Sequence, residues 1–98
     1  MTDLSDKKDV SERNARLKSR QRENDDAFLS LVATKQGRQW LFDHLAVCHI
    51  FVTTHRAEPT ASAFAEGERN VGLRLLGDIM RLSPHTFAQM LEENANAR

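Results

Sequence analysis

Gly37-Arg38-Gln39-Trp40-Leu41-Phe42-Asp43-His44-Leu45-Ala46-Val47-Cys48-His49-Ile50 is the stretch on which the fold turns. Trp40, Leu41, His44, Leu45 and Cys48 recur at intervals of three and four, and Arg38, Gln39 and Asp43 fall away from that line. This is the period of a helix with one buried face. A second helix is expected over roughly 61 to Leu82, with Thr60 or Ser62 as its cap and Phe64, Val71, Leu75, Ile79 and Leu82 as its apolar line, thickened by Leu76 and Met80. Gly67, Gly72 and Gly77 interrupt it at fives. A helix that accepts three glycines is expected to use one or two of them for close approach of a neighbour, because removing Cβ lets another segment come nearer. Ser83 as N-cap and Pro84 at the first helical position predict a last helix carrying Phe87, Met90 and Leu91.

Between the two central helices, Ile50-Phe51-Val52-Thr53-Thr54 begins β-branched, and the segment closes at Glu58-Pro59. One strand without a partner cannot make a sheet, so an irregular connection packed by Phe51 is expected. Upstream, Phe28, Leu31 and Val32 stand at i, i+3, i+4 in a short apolar block, and Gly37 either ends that element or sits in the first turn of the next. Residues 1–26 hold seven of the 14 Lys/Arg and seven of the 14 Asp/Glu. They carry too little apolar surface to offset the entropy of ordering. They contain many good helix formers and, from 9 onward, no Gly or Pro, so a charged arm is expected, helical on a partner and otherwise frayed. The fold class is therefore all-α: a small bundle of three to four helices over 27–98 with a helical or disordered N-terminal arm over 1–26.

Ninety-eight residues make at most one small core. Net charge is zero, which removes the global basic field typical of small nucleic-acid-binding proteins. The single cysteine, Cys48, closes no disulfide within the chain and favours a reducing compartment. No apolar run approaches the roughly 20 residues of a membrane span, and the start lacks the design of a secretory signal. The two ends read as natural termini, so a complete small gene product is expected.

Three constellations invite chemistry. Of the four histidines, His44, His49, His55 and His85, only His44 pairs with Cys48 at i, i+4, yet a structural zinc site wants a second close ligand pair, and a Cys inside an apolar helix, with His49 or His44 as its base, lacks the cationic setting that activates a thiol. Neither a metal site nor a nucleophile is expected, and no cofactor. Glu66, Arg69 and Asn70 project together at i, i+3, i+4, either as a surface ion pair of Glu66 with Arg69 plus a polar contact, or as a polar recognition patch. In the second reading Gly67 and Gly72 thin the helix beside it. Arg13, Arg16 and Arg20 share a face at i, i+3, i+7 and would suit phosphates, but acidic residues bracket them and no aromatic residue is interleaved for base stacking. No phosphate-cradling glycine loop or catalytic triad is present, and a non-enzyme is expected.

The strings Gly37-Arg38-Gln39-Trp40-Leu41-Phe42-Asp43-His44-Leu45 and Ala63-Phe64-Ala65-Glu66-Gly67-Glu68-Arg69-Asn70-Val71-Gly72-Leu73-Arg74-Leu75-Leu76 are similar to those of a family of small helical proteins from the structural gene clusters of short-tailed bacteriophages. The family's pattern is a G-R-x-x-L/W helix start, an aromatic-ended connection, an F-x-E-G-x-R-N-x-G helix and a closing helix introduced by Pro. The resemblance covers about residues 28–92 and leaves out the arm. It implies a role in the virion or its assembly, near portal, tail or ejection proteins, located in the particle or in the host cytoplasm during assembly. It brings no catalytic residues. The expected action is protein–protein contact through Glu66, Arg69, Asn70, Gly67 and Gly72, with homo-oligomerisation. The alternative is a nucleic-acid-binding or host-directed regulator.

Overall fold

In the computed structural model, which describes residues 4–96, α1 (Leu4–Val32) is one continuous helix of 29 residues. The boundary expected at 26/27 falls inside it, and what changes there is burial rather than backbone. Side chains 5–24 are all exposed; from Asp25 onward Phe28, Leu31 and Val32 turn into the body. The exposed stretch has strong helix formers and no helix breaker, which favours helix without requiring a core. It projects from the body, giving overall extents of 61 × 38 × 16 Å and a radius of gyration of 18.7 Å.

α1 stops at a tight joint. Thr34, in extended conformation, caps α2 (Lys35–Val47) by accepting the Gly37 N–H at 3.0 Å. Gly37 therefore lies in the first turn of α2, where a Cβ would collide with the carbonyl oxygen of Leu31. Only glycine fits that crossing. Arg38, expected on the polar side, instead binds the joint together. Its Nη1 donates to the Val32 carbonyl at 3.1 Å, and Nε and Nη2 make a bidentate pair with Glu93 at 2.8 Å each. The Arg38 hydrogen bonds hold the Glu93 carboxyl below its ordinary range.

α3 (Pro59–Leu82) begins earlier than expected, and its cap is neither Thr60 nor Ser62. Glu58 caps it, its carboxylate accepting the N–H groups of Thr60 at 3.0 Å and Ala61 at 2.7 Å, which lowers its pKa. Pro59 takes the first helical position, where it lacks an N–H that would otherwise need a partner. Ser62 serves the connection instead, its Oγ accepting the Arg56 N–H at 2.7 Å. At the far end of α3, Arg81 forks onto both Asp25 oxygens at 3.0 and 3.1 Å, pinning α1 and lowering the Asp25 pKa.

α4 (His85–Asn94) closes the bundle. Ser83 does not bond the helix amides with its side chain. Its carbonyl accepts the Thr86 N–H at 3.0 Å, while its buried hydroxyl meets the Thr86 hydroxyl at 2.7 Å. The core is Val32, Leu41, Leu45, Ile79 and Met90, flanked by an aromatic row in which Phe51 stacks on Phe42 and Phe87 at centroid distances of 5.1 and 6.5 Å. The connection 50–58 is irregular and anchored by Phe51, as its composition predicts.

Both expected apolar lines need correction. In α2, Leu41 and Leu45 are fully buried, but Trp40 is 52% exposed and lies on His44 with ring centroids 3.8 Å apart. In α3 the buried line is Ala65, Gly72 and Ile79, at intervals of seven, whereas Phe64, Val71 and Met80 are exposed. At Gly72 the physical reason is the segment 48–50, where Cys48 and Ile50 pack so closely on the middle of α3 that no side chain fits beneath them.

Candidate functional site

The expected site lies on the first half of α3, where it meets the end of α2. There α2 winds up in a Schellman arrangement: the His49 N–H bonds the Ala46 carbonyl and the Ile50 N–H the Leu45 carbonyl, both at 3.1 Å. The residue closing such a turn needs a left-handed backbone and is usually glycine. Here it is His49, with φ 63°, a conformation that costs an L-residue roughly 1–2 kcal/mol.

Two side chains of α3 hold that turn in place. Glu68 Oε1 lies 3.1 Å from His49 Nε2, and Arg69 Nη1 donates to the His49 carbonyl at 3.0 Å, with Val52 O at 3.5 Å. Below them the turn presses on Gly72, where a Cβ would stand 2.6 Å from Cys48 Cβ and 2.9 Å from Ile50 Cδ1. The close approach expected of the glycines is thus realised at Gly72, by side chains of this same chain. Gly67 and Gly77 face open space within 4 Å.

The expected trio is divided accordingly. Among the described residues no ion pair joins Glu66 to Arg69, because the guanidinium turns to the carbonyls of the connection, which have few other donors. Glu66 and Asn70 stay exposed on the outer side of the helix, with Gly67 between them and Phe64, 71% exposed, one turn before. The surface that results is an outer face carrying Phe64, Gly67, Val71 and Asn70, and a flank where His49, Glu68 and Arg69 tie the turn down. Glu68 was not singled out from the sequence, and His49 only as a candidate base for Cys48, not as the residue that ends α2. The only signal for them was Glu68 three residues from the buried line and a polar residue where a helix ends without glycine.

The other candidates lie elsewhere. Arg13, Arg16 and Arg20 are exposed on the projecting part of α1, and none makes an ion pair among the described residues. His44 Nδ1 sits 2.8 Å from the Trp40 carbonyl oxygen on the outside of α2, whereas Cys48 is half-buried against Gly72, so the two do not converge. An open cleft of 610 Å³ separates α1 from α3, lined by Gln21, Asn24, Phe28 and Arg74 among others and closed at its base by the Arg81–Asp25 pair. Among the described residues no helix is long and apolar enough to cross a membrane.

Residues 28–92 match the model of a family described as Bbp19-like phage protein. The match starts at Phe28, where α1 first reaches the core, and ends within α4. No curated protein and no solved structure matches the chain.

Proposed function

Since the chain belongs to the family of Bbp19-like phage proteins, we propose that it acts by protein–protein contact in building or delivering the phage particle, as a component of the portal, tail or ejection apparatus. The observation that carries this reading is the outer face of α3. Phe64 and Val71 stand out into solvent on either side of Gly67, with Glu66 and Asn70 alongside. Exposed apolar side chains grouped beside a bare stretch of helix and rimmed by polar groups form the kind of surface another protein covers. Gly67 lets a partner's backbone come close, and Arg69 and Gly72 keep the face in shape from behind. The reading assigns no catalytic step and no cofactor, and it includes association of the protein with copies of itself.

Mass spectrometry of purified, nuclease-treated particles tests it. The expected result is a fixed low copy number relative to the major capsid protein. Absence from particles overturns the placement in the virion and leaves an assembly factor that departs, or a host-directed regulator. A second reading rests on Arg13, Arg16 and Arg20, exposed and without ion pairs on one face of α1. If they hold nucleic acid, the protein is retained on duplex DNA at low salt and released steeply as salt rises. No retention at low salt eliminates that reading.

A further inference from the structure

The exposed part of α1 has an order that neither reading uses. Val10, Asn14, Leu17 and Gln21 are spaced four, three and four residues apart, so they form one stripe along the helix, continuous with Phe28 where α1 enters the core. Val10 and Leu17 are more than half exposed. Along one flank of that stripe run Asp6, Asp9, Arg13, Arg16 and Arg20, all within about a quarter of the helix circumference. The acids come first and the cations last. None of the five makes an ion pair among the described residues.

We infer that this face of α1 is an interface with α1 of a second copy, laid antiparallel about a two-fold axis between positions 13 and 14. A two-fold contact must be complementary to itself, and the outer parts of this flank are: reversing it sets Asp6 and Asp9 against Arg20 and Arg16, while Arg13 comes beside its own copy at the axis. Val10 of each copy meets Leu17 of the other, and Asn14 meets Asn14 beside the axis. Asp6 faces Arg20 and Asp9 faces Arg16, each pair occurring twice, with residual offsets of about 1.5–3 Å along the axis that the long arginine side chains span. A parallel two-fold pairing would instead set this flank against the opposite one, bringing Arg16 and Arg20 against Lys18 and Arg22. The seam has two apolar side chains per copy, so the association is weak, reversible and sensitive to salt. The inference names the surface for the self-association included in the proposed function and rests on that part alone.

The test is a charge exchange in the full chain, read by sedimentation equilibrium on nuclease-treated protein at several concentrations and two salt levels. The unmodified protein is expected to move from 11.2 kDa toward twice that mass as concentration rises, less so at high salt. Arg20→Glu and Asp6→Arg, each alone, are expected to raise the dissociation constant about tenfold. The double variant D6R/R20E is expected to return it to within about twofold of the original. The two positions lie 14 residues apart, about 21 Å along one helix, so they cannot restore each other within a chain. Both side chains lie outside the core, and unchanged helical circular dichroism verifies that the variants fold. A mass of one chain at every concentration overturns the interface and self-association together. A dimer indifferent to the single reversals, or one that the double variant does not restore, overturns the α1 interface while leaving self-association through another surface.

Discussion

The first twenty residues of α1 and the body that follows are both helical, but for different reasons. From 5 to 24 no side chain is buried, and helix is favoured by residue type alone: alanine, arginine, lysine and glutamate with no glycine or proline. From 25 to 96 the helices contain glycines at 37, 67, 72 and 77 and are held by what they bury. Propensity makes a rod with a changeable partner; burial makes a shape with a fixed one. Placing both in a single uninterrupted helix lets whatever binds the rod act on the body without a flexible joint between them.

Substitutions on the two sides of position 25 are therefore expected to differ sharply. Ile79→Ala, at a fully buried site, is expected to destabilise the protein by about 2–5 kcal/mol in urea unfolding. Next come two glycines of one helix. Gly72→Ala forces Cys48 and Ile50 aside and is expected to cost a net of about 1–2 kcal/mol, whereas Gly67→Ala meets nothing within 4 Å and is expected to add up to about 1 kcal/mol. Equal effects at both would mean that the turn does not press on α3.

Acid is expected to weaken the body in a definite direction. Glu93, Asp25 and Glu58 have pKa values lowered by Arg38, by Arg81 and by the backbone amides of Thr60 and Ala61 respectively. Their stabilising contribution is complete above the unfolded carboxylate range and is lost as pH falls through the lowered values. Unfolding measured from pH 6 downward is expected to lose stability below about pH 4, less steeply in Glu93→Gln. The smallest effect is expected on the rod. Leu17→Ala, measured at dilution, is expected to shift stability by no more than about 0.5 kcal/mol. In hydrogen exchange, amides 5–24 are expected to exchange far faster than those of 41–45, and equal protection would erase the distinction between the two regions.

How much of this was legible in the sequence follows from the same difference. An all-α bundle of three to four helices, an irregular connection anchored by Phe51 and the family itself could all be read, because apolar periodicity and local breakers carry that information. The faces were harder. A stripe of large side chains draws the buried line of α3 through Phe64 and Val71, when the face that is buried carries Ala65 and Gly72, and Cys48 and Ile50 come too close to Gly72 for any side chain there. Arg38 gave no local sign that its partner is Glu93, 55 residues away. At the candidate site, Glu66, Arg69 and Asn70 were grouped by helical spacing alone. Spacing cannot tell that a guanidinium will prefer the carbonyls of a turn whose histidine takes a left-handed conformation. Long-range partners and backbone exceptions are set by tertiary packing, which a periodicity does not encode.

The projection of α1 also governs how the molecule moves through a solvent. A compact chain of this length has a radius of gyration of about 13 Å, against 18.7 Å here. Friction follows extent rather than mass, so one copy diffuses slowly and leaves a sizing column ahead of globular standards of 11.2 kDa. An elution volume would imitate a dimer where there is none, and pairing of the rods would change it by an amount set by their overlap, not by a doubling of mass.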